Sequence, residues 1–300
     1  MRDKLYQLLG DLPSINQEIS AKTISKEEKP GYLLEKLTLD LNGSEAVPAY
    51  FVKPKTKTAK KYPTVLFCHS HGGKYHWGKS ELLEGNHYMH TPPYADELTS
   101  AGYAALCIDS PIFGERMLPN ERTELDYFKE TLWQGKVLWG MMVYDHLRAI
   151  DYLQSRDDVD TSRLATLGMS MGSTMSWWLA ALDTRVKVCI DICCMTDFHT
   201  LVDVGGLAGH GIYYYVPGLL KHFDTVGINS LIAPRPHLSV NGALDALTPE
   251  AGMDLIDEKM KKVYAEKGRS DAWLLKKYPV QHEETAEMRD EIMSFLKKWL

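Results

Sequence analysis

A serine between two glycines stands where an apolar strand is predicted to turn into a helix. Residues 163–172 read RLATLGMSMG, and the helix-forming segment 173–182 follows them. This order of strand, sharp turn and helix is what a nucleophile elbow requires, because the strained turn holds a serine hydroxyl above the sheet edge. The pattern predicts that Ser170 is a nucleophile and that the Met171 N–H points at the same space. The alternative is an ordinary strand-to-helix turn, since the short GxSxG pattern also occurs in unrelated chains.

A serine nucleophile needs a histidine base and an acid that orients the base, and in this arrangement both follow the serine along the chain. The stretch LSVNGALDALTP places Asp245 in the loop after a predicted strand, and LLKKYPVQHEET places His282 just after the last one. Both loops lie at the sheet edge where Ser170 lies, so we expect these three residues to form a triad. Asp191, near the end of the preceding strand, is the second candidate for the acid. The alternative role of Asp245 is to cap the following helix.

The loop after the first central strand is expected to supply a backbone donor for the negative charge that develops on the attacked oxygen. It reads CHSHGGK over residues 68–74, where glycines let the backbone approach a substrate closely. We expect the His71 N–H to be this donor, beside the Met171 N–H, with Gly72 as the alternative.

Several histidines in and after this loop also raise the question of a metal site: His69, His71, His76, His87 and His90. Two imidazoles spaced as HxH can bind zinc. The segment contains neither a helical HExxH pattern nor a cysteine pair that would complete a ligand set. We therefore expect no metal and no cofactor, and we expect the aromatic segment 75–94 to line or cover the pocket.

Strands alternate with helices over most of the chain, which favours an α/β fold with a doubly wound, mostly parallel sheet and helices on both faces. We expect an N-terminal arm over residues 1–30, one domain over residues 31–300 and a cap insertion over residues 195–230. The predicted elements include a hairpin over 31–53, a buried strand at 63–69, a helix at 94–101, a strand at 103–108, one long helix over 133–154, strands at 186–192, 237–240 and 273–278, and helices over 249–264 and 283–300.

Composition excludes several classes of partner. The formal net charge is −6, from 34 basic and 40 acidic residues scattered along the chain, so we expect neither nucleic acid nor a membrane surface as a partner. No segment approaches the ~18 apolar residues of a membrane span, and a cytoplasmic protein is expected. An odd number of cysteines, several in apolar runs, favours reduced, buried thiols, with a Cys193–Cys194 disulfide as the alternative. A homo-oligomer is left open.

The motifs HSHGG, IDS followed by FGER, GMSMG, NGALD and QHEET, in this order from residue 63 onward, resemble the α/β-hydrolase superfamily. Within it they resemble the dienelactone-hydrolase-like and acetyl-xylan-esterase-like bacterial esterases. The resemblance implies the α/β-hydrolase fold, a Ser170–Asp245–His282 triad, His71 and Met171 as oxyanion donors, and no cofactor. Two departures are Ser70, where such esterases usually have a glycine, and Ser170, where dienelactone hydrolases have a cysteine. The second departure favours carboxylic esters over dienelactone.

These features together predict a serine hydrolase whose partner is a small-molecule ester with a small acyl group or a carbohydrate alcohol. We expect the segments 110–130 and 195–230 to set the choice of substrate, and the second contains three consecutive tyrosines, 213–215. One alternative is a serine peptidase of the prolyl-oligopeptidase type, although such peptidases usually carry a large extra domain. The other is a non-catalytic binding protein, since a fold does not fix a function.

Overall fold

A computed structural model describes residues 1–56, 60–119 and 122–300 of the chain. Nine strands of these residues form one sheet. The strands are β1 (Ser20–Glu28), β2 (Tyr32–Asp40), β3 (Ala46–Pro54), β4 (Tyr62–Cys68), β5 (Ala104–Ile108), β6 (Val159–Met169), β7 (Val186–Ile192), β8 (His237–Gly242) and β9 (Trp273–Tyr278). Their order across the sheet is β1-β2-β3-β5-β4-β6-β7-β8-β9.

The sheet is antiparallel at one edge and parallel elsewhere. Strands β1, β2, β3 and β5 pair antiparallel in turn, and every pairing from β5 and β4 through to β9 is parallel. Strand β4 is apolar along its length because it is covered on both faces, as a central parallel strand must be. The predicted hairpin, formed by β2 and β3, is confirmed, and so is the predicted mostly parallel sheet.

Helices cover both faces of the sheet. Apolar side chains of β4 alternate between two cores: Val65 and Phe67 pack on one face, and Leu66 and Cys68 pack on the other. The helices are α1 (Arg2–Gln7), α2 (Glu81–Glu84), α3 (Tyr94–Ser100), α4 (Glu124–Trp133), α5 (Leu138–Ser155), α6 (Met171–Leu182), α7 (Phe198–Asp203), α8 (Thr225–Asn229), α9 (Glu250–Glu266) and α10 (Ala286–Trp299). Helices α3 and α10 contribute to the first core, and α5 and α6 to the second.

Two elements differ from the sequence prediction. The expected N-terminal arm contains β1, a full edge strand whose residues are mostly exposed and mostly polar or charged, so that no apolar alternation marks it. The predicted long helix over 133–154 corresponds to α5, which begins five residues later, and α4 precedes it where no helix was predicted. The two helices are separated by a turn in which Gly135 has a φ of 72°. Glycine adopts this left-handed conformation readily, so the turn ends one helix before the next begins.

The segment between β7 and β8 folds back on its own base. It contains α7, α8 and short 3-10 turns, and the Thr225 hydroxyl donates a hydrogen bond to the Thr196 carbonyl at 2.7 Å. The Phe198 N–H in turn donates to the Thr225 hydroxyl at 3.3 Å. The two ends of the expected cap therefore lie side by side on the body of the protein.

Within the described residues, no helix combines the length and the apolar character that crossing a membrane requires. All five cysteines are buried and free, including the adjacent Cys193 and Cys194. Burial raises the pKa of the Cys68 thiol to about 12, so this group is protonated at neutral pH. The cytoplasmic location stays a prediction.

Candidate active site

Ser170 occupies the sharp turn between β6 and α6. Its backbone has a φ of 56° and a ψ of −117°, an uncommon conformation for a residue with a side chain. The turn is held because the Ser170 N–H donates to the Ile192 carbonyl at 2.8 Å. A Cβ at Gly172 would overlap the carbonyl oxygen of Cys68, so the helix can approach β4 only with glycine at this position. This geometry is the strained elbow expected from the sequence.

Asp245 and His282 meet beside the carboxyl ends of β8 and β9. The Nδ1 atom of His282 lies 2.6 Å from Asp245 Oδ2, and the Leu247 N–H donates to the other carboxylate oxygen at 2.9 Å. Asp245 is almost fully buried, and the side chain of His282 is 21% exposed. The carboxylate therefore fixes the imidazole with Nδ1–H toward Asp245 and leaves Nε2 to accept a proton.

Ser170 and His282 line one cavity of about 230 Å³. Among the described residues, Ser170 Oγ makes no direct hydrogen bond to His282, although the two side chains share this cavity. Hydrogen bonds of this kind are often long without substrate and tighten in the complex. Met171, His71 and Gly72 line the same cavity, so the structure brings all the predicted site residues except Asp245 to its wall, and Asp245 lies directly behind His282.

Asp191, the second candidate for the acid, belongs to a different cluster. Its carboxylate lies 2.6 Å from His237 Nε2 and accepts a hydrogen bond from the Ser239 hydroxyl at 2.7 Å. All three side chains are fully buried in the sheet. Asp191 is thus partnered inside the protein, and it is Asp245 that contacts His282.

The loop that carries His71 is anchored by a buried polar network that the sequence did not reveal. The Ser70 N–H donates to Glu81 Oε1 at 2.9 Å, and the Ser70 hydroxyl contacts Glu81 Oε2 and lies 2.6 Å from the Tyr88 hydroxyl. Asn86 Nδ2 donates to the same Glu81 oxygen at 2.8 Å. Burial raises the pKa of Glu81 to about 7. Ser70, which departs from the family pattern, therefore uses its hydroxyl to hold the loop.

This network also reaches the candidate base. The ring of Tyr88 lies 5.7 Å from the ring of His282 in an edge-on arrangement, and a Cβ at Gly72 would collide with the Tyr88 ring. Glu81, Asn86 and Tyr88 come from a segment without helical or strand periodicity, so only its density of polar and aromatic residues marked it. No described residue of the segment 75–94 lines the cavity, so the prediction that this segment lines or covers the pocket stays unconfirmed; Tyr88 reaches the site only through His282 and Gly72.

Two groups of side chains in the described residues bring histidine, cysteine and carboxylate ligand atoms within 4.8 Å of one another. They are Cys189, Asp191 and His237, and Cys193, Asp245 and His282. Neither group includes the histidines between 69 and 90, on which the alternative of a metal site rested. The second group contains the Asp245–His282 pair, whose short contact already occupies both side chains with each other.

The cap supplies the wall opposite the elbow. Residues 209–211, Tyr213 and Tyr214 line the cavity. Described residues of the segment 110–130 do not line it, and positions 120 and 121 lie outside the described residues. Glu124 nevertheless touches the cap, because its carboxylate accepts a hydrogen bond from the Tyr213 N–H at 3.4 Å. Of the two segments expected to set the choice of substrate, the cap therefore contacts the cavity directly.

Comparisons with known proteins agree with this geometry. A profile of the Dienelactone hydrolase family matches residues 47–192, from β3 through β7. The Bacillus subtilis (strain 168) protein named "Putative hydrolase YtaP" is 52% identical over 299 residues, which cover 100% of this chain and 98% of that protein.

Solved structures share the fold at low sequence identity. "Glucuronoyl Esterase from Solibacter usitatus" superimposes with a TM-score of 0.73 at 15% identity, over 99% of this chain and 91% of that chain. "Acetyl xylan esterase from Paenibacillus sp. R4" gives a TM-score of 0.67 at 18% identity, over 100% of this chain and 93% of that chain. These likenesses confirm the predicted α/β-hydrolase fold. With a relative this similar along its whole length and a family profile that spans its elbow, the chain belongs to the dienelactone hydrolase family.

Proposed function

We propose that the protein is a serine esterase that hydrolyses carboxylic esters of small acyl groups or of carbohydrates. Membership of a hydrolase family supports the reaction class. The observation that carries the proposal is the 2.6 Å contact of Asp245 with His282 beside the cavity that the strained Ser170 also lines. A binding protein on this fold has no need of a strained serine, a buried acid and an oriented histidine around one cavity.

In the proposed reaction, Ser170 Oγ attacks the carbonyl carbon of the ester while His282 Nε2 takes up the hydroxyl proton. Asp245 accepts the hydrogen bond from Nδ1 and stabilises the imidazolium that forms. The N–H groups of Met171 and His71 donate to the negatively charged carbonyl oxygen. His282 then gives its proton to the oxygen of the departing alcohol. Water attacks the acyl-enzyme by the same path, which releases the acid and restores Ser170.

The size of the cavity supports small substrates. Its volume of about 230 Å³ lies below the ~300–1,000 Å³ of sites that bury drug-sized ligands. Its wall includes no Lys, Arg, Asp or Glu side chain among the described residues. A cavity of this size suits an acetyl or similarly short acyl group.

The proposal is tested with p-nitrophenyl esters from acetyl to octanoyl, together with acetylated xylose and an aminoacyl-proline amide. We expect short acyl esters to be hydrolysed fastest. The variants Ser170→Ala and His282→Ala should lower kcat by at least about 10³-fold, and Asp245→Asn by a comparable factor, since triad members act as a unit. Ser100→Ala, an exposed serine on α3, is the control and should keep wild-type activity.

Two outcomes contradict the proposal. Folded protein that hydrolyses no ester removes the esterase assignment and favours a binding protein. Cleavage of the aminoacyl-proline amide in preference to the esters favours a peptidase instead. The dependence of activity on acyl chain length also measures the size of the cavity, because the longest acyl group hydrolysed between acetyl and octanoyl reports how many carbon atoms the cavity accepts.

A further inference from the structure

The side chain of His71 has a fixed tautomer. The Gly73 N–H donates to His71 Nδ1 at 2.9 Å, so Nδ1 is an acceptor and carries no proton. Burial lowers the pKa of His71 to about 4, with the nearby His69 and His282 acting in the same direction, so the ring is neutral at neutral pH. Its one N–H is therefore on Nε2.

This N–H determines what the Tyr213 hydroxyl can do. His71 Nε2 lies 2.6 Å from the Tyr213 oxygen, and since Nε2 carries the proton, the tyrosine oxygen accepts. The hydroxyl keeps its own proton, because burial raises the pKa of Tyr213 well above its ordinary value. Among the described residues, this hydroxyl has no acceptor for that proton. Tyr213 and His71 both line the catalytic cavity.

The ring of Tyr213 is held rigidly. It stacks on Trp139 with a centroid distance of 6.1 Å and meets Phe113 edge-on at 5.8 Å. A Cβ at Gly211 would overlap the ring, so this glycine lets the chain pass closely beside it. A donor on such a fixed ring loses little conformational freedom when it binds a ligand.

The rest of the wall is uncharged. Thr174 and Tyr214 also line the cavity, but their hydroxyl oxygens are themselves buried. No Lys, Arg, Asp or Glu side chain among the described residues lines the cavity. Such a surface is suited to an uncharged oxygen rather than to a carboxylate.

We propose that the Tyr213 hydroxyl donates a hydrogen bond to a second, uncharged oxygen of the ester substrate, outside the scissile ester group. The enzyme then selects esters that carry an ether, hydroxyl or carbonyl oxygen near the bond that breaks. This inference rests on the proposed esterase function and narrows its substrate class. Tyr213 is a specificity-determining residue in this account.

The test uses two pairs of esters matched in length. On the acyl side, p-nitrophenyl methoxyacetate is compared with p-nitrophenyl butanoate; on the alcohol side, 2-methoxyethyl acetate is compared with butyl acetate. Each kcat/KM is divided by the rate of hydrolysis by hydroxide, because an ether oxygen also activates the ester. We expect wild type to prefer the ether by about fivefold or more in at least one pair, the effect of one neutral hydrogen bond.

Tyr213→Phe should reduce this preference to near unity. Tyr215→Phe is the matched control, since the Tyr215 hydroxyl donates to the Leu207 carbonyl and does not line the cavity, and it should retain the preference. The proposal is overturned if Tyr213→Phe keeps the ether preference in both pairs. It is also overturned if Tyr213→Phe lowers kcat/KM equally for both members of each pair, because that result assigns the hydroxyl to oxyanion binding.

A charged ester completes the experiment. The p-nitrophenyl monoester of succinate should be hydrolysed more slowly than butanoate, because its carboxylate finds no cation on the cavity wall. Faster hydrolysis of the succinate contradicts the uncharged substrate class. If wild type hydrolyses none of the esters, the esterase function itself is rejected, and the inference with it. If wild type hydrolyses esters but its ether preference does not depend on Tyr213, only the inference is rejected.

Discussion

His71 serves the candidate site with its backbone and its side chain at once. Its N–H is the expected oxyanion donor, its Nδ1 atom accepts from Gly73, and its Nε2 atom reaches Tyr213 on the cap. The Nδ1 contact requires a neutral imidazole, and burial, which lowers the pKa of His71, provides it. A neutral buried histidine makes the free energy of unfolding depend on pH, because the unfolded chain takes up a proton as the pH falls and the folded chain does not.

A second neutral histidine allows this pH dependence of the free energy of unfolding to be measured away from the site. His146 on α5 is fully buried, its Nδ1–H donates to the Met142 carbonyl at 2.8 Å, and burial lowers its pKa to about 3. Below its ordinary pKa of 6.5, the unfolded chain takes up a proton on His146 and the folded chain does not. The contribution of neutral His146 to the free energy of unfolding is therefore fully present above pH 6.5 and is lost as the pH falls toward 3.

We expect His146 to contribute about 2 kcal/mol to the loss of unfolding free energy between pH 6.5 and pH 5. Urea denaturation at both pH values measures it. In His146→Phe this contribution disappears, so the difference between the two pH values shrinks by that amount. The exposed His222 provides the control His222→Phe, which should keep the wild-type pH difference. An unchanged pH difference in His146→Phe shows that His146 is protonated in the folded state.

At the scale of elements, the elbow depends on how closely α6 approaches β4. Gly172, at the start of α6, faces the backbone of Cys68, and neither a strand carbonyl nor a helix terminus moves cheaply. Gly31 offers a contrast. A Cβ there would find its nearest neighbour at 4.0 Å, the Asp96 carboxylate, and its backbone has no positive φ.

Gly172→Ala should therefore destabilise the protein by about 1–3 kcal/mol or more through overpacking. It should also lower the rate of covalent labelling by a serine-hydrolase probe, because Ser170 is displaced with the turn. Urea denaturation and probe labelling measure the two effects. Gly31→Ala should change neither. Wild-type stability and labelling in Gly172→Ala would mean that the helix does not press against β4.

The elements that the sequence predicted well are those with strong local patterns. The runs at β4, β7 and β9 are bounded by turn residues, and the order of strands and helices alone places Asp245 and His282 at one edge of the sheet. Strand β1 escaped prediction because its stability comes from pairing with β2, not from an apolar face of its own. Helix α4 was missed because it is mostly solvent-facing, with Thr131 as its one buried residue.

Some residues of the candidate site could be predicted from the sequence and others could not. Ser170, Asp245 and His282 lie where topology alone puts them, at the carboxyl ends of parallel strands. Tyr213 lies in a short 3-10 turn and Glu81 in the single-turn helix α2, and their positions follow from contacts between parts of the chain that are distant in sequence. The three consecutive tyrosines of the cap marked the region, yet the sequence did not show that Tyr213 and Tyr214 line the cavity and that Tyr215 does not.

At the scale of the whole molecule, the first residues tie the body together. Leu5 and Leu9 are fully buried in the larger core, and the Arg2 guanidinium donates to the Ala181 and Leu231 carbonyls. The N-terminal segment thus joins the end of α6 to the chain that leads from the cap. Ile15, only a few residues further along, is 60% exposed.

Leu9→Ala should consequently cost about 2–5 kcal/mol of unfolding free energy, the usual cost of a cavity at a fully buried leucine. The thermal midpoint and urea denaturation of the purified protein measure it. Ile15→Ala is the matched control and should lie within about 0.5 kcal/mol of wild type. Equal effects of the two substitutions would mean that the segment adds nothing to the core.

The closed base of the cap has a consequence for how such enzymes diversify. Because the Thr225 hydroxyl donates to the Thr196 carbonyl, the stretch between these residues begins and ends at nearly one point on the body of the protein, before the chain continues through α8 to β8. This stretch carries Tyr213 and Tyr214 but none of the three residues proposed to break the bond. The segment is therefore a module. A related chain can carry a different segment here, and with it different groups proposed to select the substrate, while it keeps the three residues proposed to break the bond.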